Sequence, residues 1–332
     1  MNNTNSAEND VLQPTKIYLF AGWNYPAAQQ LGSKLLHLVE HHPDLVWGGC
    51  VLQQPNVSRV AKLRHQLARF VESVRTLLSF EVPNEVTIRA VNSPAPVSAD
   101  EIFETRHLLT QEQAVNDQYP NKALVSILWT AKFSDQLLGS FHQAVNYHNG
   151  SVPNFRGLRA TSWSIYKRST HSGFTFHRID SSLDTGPVLA AGEVEILRTD
   201  TKNSLELAKT TLAITQLPTL LTAIVELRLG LEQTHTDRYL HSRDAKKLCV
   251  IEHGHHISLH ELNHRIRAFG SVRLRLRGDL FCTPTLPLQA NRPYILPNNR
   301  SLALQDKTGY LALRDLVRVW LRRHDSAFRS SR

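Results

Sequence analysis

The chain has 332 residues, 41% of them hydrophobic, with 38 Lys plus Arg against 29 Asp plus Glu and a formal net charge of +9. That apolar content is enough to bury a core, which excludes a wholly disordered chain, and the basic excess favours acidic partners such as nucleic acid or phosphorylated substrates without choosing among them. Cys50, Cys249 and Cys282 are scattered without metal-ligand spacing, residues 1–15 lack the apolar core of a signal peptide, and no run reaches the ~20 apolar residues of a membrane helix, so a soluble cytoplasmic protein is expected.

Residues 1–14 read as a disordered, solvated tail. An apolar run at 16–20 ending in Ala21-Gly22 predicts a first strand, and 27–40 a helix with its buried stripe at Leu31, Leu35 and Leu38. Residues 45–51 predict a second strand. Residues 59–78 predict a helix with one apolar face through Val60, Leu63, Leu67, Phe70, Val71, Val74 and Leu77 and a solvated basic face. A strand at 86–91, a helix at 98–114 and a nearly continuous apolar strand at 123–129 follow. Strands alternating with helices predict an α/β fold with a parallel-rich, Rossmann-like sheet. The GxGxxG fingerprint of a nicotinamide-binding domain is absent after the first strand.

The stretch 146–186 concentrates the chemistry. Asn146 and His148 are separated by one residue, so on a strand both project from the same face. Gly150 and Pro153 then break regular structure and leave that strand end open. An alternating segment, HSGFTFHRI at 171–179, runs into a loop carrying Asp184 in Leu183-Asp184-Thr185-Gly186. Amide, imidazole and carboxylate together suit acyl transfer to an amine: Asn146 and His148 as donors to a tetrahedral oxyanion, Asp184 orienting the imidazole or relaying a proton. The same three residues also suit plain turn capping. His171 and His177 fit structural and functional roles alike.

Further on, 158–165 predicts a helix, 189–196 a strand, and 205–229 a long helix containing Pro218. The composition turns polar at 233–247, which reads as a linker, so the domain boundary falls near residue 232 and a small C-terminal α+β domain follows to residue 332. Within it, His260-Glu261-Leu262-Asn263-His264 satisfies the HExxH pattern of zinc proteases, but the apolar face Leu259, Leu262, Ile266 and Phe269 already explains the segment as a small helix. With no third ligand at a known spacing, no metal site is expected. Residues 272–277 alternate apolar residues with Arg273, Arg275 and Arg277, a strand whose basic face suits a polyanion or an exposed, aggregation-resistant edge. Residues 311–324 predict a basic amphipathic helix.

The two quoted motifs, Asn146-Tyr147-His148 running to Pro153 and Arg156-Gly157, then Leu183-Asp184-Thr185-Gly186, resemble those of the folate-dependent formyltransferases. The resemblance covers residues 15–232 as a catalytic domain and the remainder more weakly. It implies 10-formyltetrahydrofolate as formyl donor, a primary amine as acceptor, and Asn146, His148 and Asp184 as the catalytic residues. It also implies folate contacts from Trp129, Thr130, Lys132 and Leu137, and from the 180–184 loop with Asp180, Ser182 and Leu183. Trp129 reads equally well as a core aromatic. The run Leu158-Arg159-Ala160-Thr161-Ser162-Trp163 is more similar to formyltransferases of secondary metabolism than to the tRNA enzyme. The expected acceptor is therefore a small amine, an amino sugar nucleotide or an amino-acid-derived metabolite. Methionyl-tRNA formylation and hydrolysis of the formyl-folate are the alternatives.

Overall fold

The computed structural model describes residues 13–22, 25–53, 108–234, 238–252, 257, 259–270 and 272–276, and toward the C-terminus 279–282, 294–296, 300–302, 305–306, 309–310 and 317–318. The helix expected at 59–78, the strand at 86–91 and the first part of the 98–114 helix lie outside these residues. Two compact units divide the chain, Met1–Ser140 and Phe141–Arg332.

In the first unit, β1 (Thr15–Gly22) lies between β2 (Leu45–Gln53) and β3 (Lys122–Ile127) and is parallel to both. Ile17, Leu19, Phe20, Leu124, Val125 and Ile127 are all wholly buried. Their near-continuous apolar sequence is what a strand covered on both faces requires. Strand β3 stops at Ile127 because Leu128 turns into the left-handed region at φ 54°. Helix α1 (Pro26–Glu40) opens on a proline and buries Leu31, Leu35 and Val39, so its stripe passes through Val39 rather than Leu38. Helix α2 (Gln111–Asn116) begins with a Thr110/Gln113 capping box. The Lys122 ammonium closes its far end on the carbonyls of Ala114, Val115 and Asp117. A one-turn helix, α3 (Asp135–Leu138), is capped by Ser134.

In the second unit, β4 (Gln143–His148), β5 (His171–Arg178) and β6 (Val188–Glu195) form an antiparallel run with β5 in the middle. The parallel pairing expected from the sequence thus characterises the first unit, and an antiparallel meander the second. Helix α4 (Ala160–Tyr166) precedes β5, and α5 (Lys202–Val225), capped by Thr201 and containing Pro218, follows β6. The chain continues through α6 (Ser242–Leu248), β7 (Val250–Ile251), α7 (Leu259–Phe269), β8 (Arg273–Leu276) and β9 (Asp279–Cys282). Two short hairpins follow, β10 (Tyr294–Leu296) with β11 (Arg300–Leu302), and β12 (Gln305–Asp306) with β13 (Gly309–Tyr310).

Two expectations are corrected here. Strand β8 is not an edge: it sits between β7 and β9, and Arg275 pairs with Glu252 at 2.6 Å. Within the stretch read as a C-terminal helix, Val317–Arg318 is instead a strand, β14, paired antiparallel to β9. An open sheet edge offers backbone partners that override a weak helical pattern. Leu240, inside the polar segment 233–247, is buried with Trp163, Leu205, Ala245, Cys249, Ala268 and Phe269, so one cluster draws on α4, α5, α6 and α7.

Candidate active site

Strands β4 and β5 have two unlike faces. Opposite residues of an antiparallel pair share a face, and the register sets Asn146 against His177 and His148 against Thr175. That face carries Asn146, His148, Thr175 and His177. The other carries Tyr147, Phe174 and Phe176, whose rings pack with centroids 5.3 to 5.9 Å apart. The apolar face is a core face, which leaves a polar face buried on the opposite side: His148 is 8% exposed and His177 2%. Gly150 is required beside it, because a Cβ there would lie 2.8 Å from His148 Nε2 and 2.6 Å from the Phe155 carbonyl oxygen.

Asp184 reaches this face from the loop after β5, at φ 56°. Its Oδ2 accepts the Gly157 N–H at 2.8 Å. Its Oδ1 lies 3.6 Å from His148 Nδ1 and 3.6 Å from His177 Nε2. The hydrogen bonds assign the tautomers. His148 Nε2–H donates to the Phe155 carbonyl at 2.7 Å, and His177 Nδ1–H donates to the Arg178 carbonyl at 2.8 Å. Asn146 Nδ2–H donates to His177 Nε2 at 3.2 Å. With these partners, His148 Nδ1 and His177 Nε2 are the ring nitrogens turned toward one carboxylate oxygen.

Burial holds the His148 imidazole below its ordinary pKa, against the pull of Asp184, so it is neutral near pH 7. Burial also opposes ionisation of Asp184, but His148, His177 and the Gly157 N–H outweigh it and hold the carboxyl well below the usual carboxylate range. The cluster thus sets a neutral His148 imidazole, together with the His177 ring, beside one carboxylate.

The Asp184 loop is tied from two sides. Arg156 donates from Nε (3.2 Å) and Nη2 (2.7 Å) to the Leu183 carbonyl. Gln233 Nε2 donates to the carbonyls of Asp184 (3.2 Å) and Gly186 (2.9 Å). Gly157, at φ 101°, lets Leu240 approach so closely that a Cβ would sit 2.5 Å from its carbonyl oxygen. Leu240 there bonds the backbones of Arg156 and Leu158. Polar composition had marked 233–247 as linker, yet it includes residues that fasten the motif.

Of the residues assigned to folate by resemblance, four lie in the first unit. Trp129 stacks on Phe133 with centroids 5.5 Å apart and meets Phe20 edge-on. Thr130 donates from both its backbone N–H and its hydroxyl to Gln53 Oε1. Lys132 is exposed, whereas Leu137 is 6% exposed and belongs to the core. The other three lie in the second unit. Asp180 accepts from the Ser182 N–H and the Thr185 hydroxyl, which shapes the loop, and Leu183 is 47% exposed. Thr175 is a site residue that sequence reasoning did not single out, and His177 is one it left open between a structural and a functional role. Their signal was the alternation with Phe174 and Phe176, which places them on the face opposite the aromatic one.

The HExxH segment is helix α7, and its polar groups are engaged. His264 Nε2–H donates to the Tyr166 carbonyl at 3.0 Å, Glu261 pairs with Arg265 at 2.8 Å, and His260 Nε2 accepts from Arg168 at 3.3 Å. Among the described residues no three His, Cys, Asp or Glu side chains are gathered as metal ligands, and no helix is long and apolar enough to cross a membrane.

A family model described as formyl transferase matches residues 85–221. The GDP-perosamine N-formyltransferase of Brucella melitensis is 36% identical over 62 residues, 19% of this chain and 24% of that protein. The methionyl-tRNA formyltransferase of Myxococcus xanthus is 39% identical over 64 residues, 19% of this chain and 20% of that protein. The matched stretch therefore spans a quarter or less of these relatives. Among solved structures, WlaRD, described as a sugar 3N-formyl transferase in the presence of dTDP and 5-N-formyl-THF, aligns over 90% of this chain and 96% of its own. Its TM-score is 0.52 at 15% identity, a likeness of fold. Motif, fold and the partial family match all resemble the formyl transferases.

Proposed function

We propose that this protein is an enzyme that moves a formyl group from 10-formyltetrahydrofolate to the primary amine of a small molecule, an amino sugar nucleotide or an amino-acid-derived metabolite. The observation that carries this reading is the buried cluster of Asn146, His148, His177 and Asp184, in which two imidazole nitrogens face one carboxylate oxygen.

Such a cluster can accept the proton an incoming ammonium must lose before its nitrogen can attack. The proton passes to His148 Nδ1, where Asp184 stabilises the imidazolium. The neutral amine then attacks the formyl carbon, and the oxyanion takes hydrogen bonds from the Asn146 amide and from the Nδ1–H of protonated His148. Collapse breaks the carbon–nitrogen bond to the donor, whose nitrogen takes the His148 proton, while the new formamide nitrogen gives up its extra proton to water. His177 holds the Asn146 amide in place. The donor is a substrate for which the first unit carries residues that fit. Trp129, stacked on Phe133, presents an aromatic surface suited to a flat ring, with Thr130 and Lys132 near it in sequence.

The acceptor class is supported by the names of the matched relatives: the Brucella enzyme acts on GDP-perosamine, and WlaRD is a sugar enzyme crystallised with dTDP. A second reading, formylation of charged initiator tRNA, draws on the Myxococcus relative and on the +9 charge. Incubation with 10-formyltetrahydrofolate and a panel of nucleotide-linked amino sugars and charged tRNA, read by mass spectrometry, decides between them. A 28 Da gain on the sugar amine is expected; gain on tRNA alone would select the second reading, and folate deformylation without any acceptor would select hydrolysis.

A further inference from the structure

Lys209 on α5 is 0% exposed and has no part in the mechanism above. Its Nζ lies 2.7 Å from Thr161 Oγ1, 3.0 Å from the Asn149 carbonyl oxygen and 3.2 Å from the Gly173 carbonyl oxygen. An ammonium has three N–H bonds, and each has its acceptor. All three acceptors are neutral. Burial pushes the ammonium down from its ordinary value to about 7, opposed by Glu206, one turn earlier on the same helix. A methionine would fill the same volume without the cost of a buried cation.

The three acceptors locate what the cation gains. Asn149 directly follows His148 at the end of β4, Thr161 lies in the first turn of α4, and Gly173 lies on β5 before Thr175 and His177. The ammonium thus joins the chain segments that carry the polar face. Its charge also acts on His148, adding to burial and His177 in favouring the neutral ring, while Asp184 acts in the opposite sense.

We propose that Lys209 is the positioning residue of this site, its side chain clamping the His148 end of β4 to α4 and β5 and its charge setting the field at His148. The two roles separate chemically. A neutral amine can still donate to the carbonyls of Asn149 and Gly173 and accept from the Thr161 hydroxyl, so the clamp survives loss of the proton while the field does not.

This inference rests on the proposed formyl transfer for its consequence but not for its test. The full chain is titrated by NMR, with the His148 imidazole resonance identified by its loss in His148→Asn, in wild type, Lys209→Gln and Lys209→Met. Gln keeps amide donors without charge; Met removes both. The His148 midpoint is expected to move upward in both variants. Turnover is expected to fall on the order of 10²-fold in Lys209→Met, the scale of a displaced catalytic group, and by less in Lys209→Gln, with the Michaelis constant for the amine unchanged. Should Lys209→Met not fold, Lys209→Gln carries the titration, and Thr161→Val, which removes one clamp acceptor and leaves the charge, carries the turnover arm. An unmoved His148 midpoint in folded Lys209→Gln overturns the proposal. The titration needs no substrate, so a chain that transfers no formyl group to any amine still reports whether Lys209 acts on His148.

Discussion

Strand β3 in the first unit and strand β5 in the second are both buried along nearly their whole length, but with different contents. In β3 the buried residues are Ala123, Leu124, Val125 and Ile127 with Lys122 and Ser126; in β5 the aromatic Phe174 and Phe176 alternate with Ser172, Thr175 and His177. Each of those polar groups has a named partner. Ser172 accepts from Ser164, Thr175 donates to the Gly150 carbonyl, and His177 bonds the Arg178 carbonyl and Asn146. Non-directional packing fixes β3 and its neighbours, where shape and volume matter. Directional bonds fix β5 and β4, where an atom out of place leaves a buried partner unsatisfied. The second kind of burial is what aims a carboxylate and two imidazoles at one point.

If that contrast is right, damage to the two regions must read out differently. Replacement of Asn146 by Ala, His148 by Asn or Asp184 by Asn is expected to lower turnover on the order of 10²–10³-fold each, the usual consequence of removing an oxyanion donor or proton acceptor. Circular dichroism should show the fold kept. Activity within a few-fold of wild type for all three would remove the mechanism. The acid limb of the rate profile should also lie below the ordinary histidine value, because burial lowers His148. A limb above that value would mean the imidazole is not neutral as assigned.

In the apolar region the same size of change should strike stability instead. Leu124→Ala in β3 deletes a wholly buried side chain and is expected to cost about 2–5 kcal/mol in urea unfolding. Turnover per folded molecule should remain that of wild type.

The difference also explains what could be read from the sequence. Apolar runs located β1, β2 and β3, and the strand-end pair Asn146 and His148 with the Asp184 loop were legible because period and turn chemistry are local. The antiparallel register of β4 with β5 was not, since nothing local decides pairing direction, and His177 therefore stayed ambiguous. Gln233 and Leu240 were hidden by their surroundings: a polar stretch reads as linker until its few contacts are seen. Lys209 was hidden for the opposite reason, a charge on a helix whose other charged residues, Lys202 and Glu206, read as its solvated face.

Stability against pH sharpens the comparison further. The folded Lys209 value, about 7, lies below the unfolded 10.5, so between those values the unfolded chain binds more protons and this group makes stability rise with pH. Other buried groups act oppositely: Cys50, pushed up to about 12 by burial, loses stability as pH rises above its ordinary 9.0. The readable quantity is the difference between wild type and Lys209→Met, which should move toward the wild type by a few kcal/mol at most from neutral pH upward. A difference that stays flat over that range would mean the ammonium is not desolvated.

A smaller effect is expected at Gln233. Its amide N–H bonds to the Asp184 and Gly186 carbonyls fasten the loop without touching the reacting atoms. Gln233→Leu removes both bonds at about 0.5–1.5 kcal/mol each. Turnover should drop several-fold, with Gln233→Glu no better because a carboxylate cannot donate. Unchanged turnover in Gln233→Leu would show that Arg156 alone holds the loop.

The smallest effects belong to the HExxH helix, where a famous pattern meets ordinary packing. His264 is 7% exposed, its Nε2–H on the Tyr166 carbonyl and its ring stacked on Tyr166 with centroids 5.9 Å apart. Burial holds it below its ordinary value. As acid is added below pH 6.5 the unfolded chain takes up the proton first, and the stability this neutral ring contributes is lost. His264→Ala should therefore cost about 1 kcal/mol near neutral pH and less in acid. His260 is exposed and takes only a hydrogen bond from Arg168, so His260→Ala should stay within about 0.5 kcal/mol. A zinc ion bound through both Nε2 atoms would have to displace the Tyr166 carbonyl from one imidazole and a guanidinium from the other, while the carboxylate between them stays paired with Arg265. Metal analysis of the purified chain should find no zinc lost on mutating either histidine, and a chelator should leave the melting temperature in place. Stoichiometric zinc that disappears with His260 or His264 would turn this helix from packing into a site.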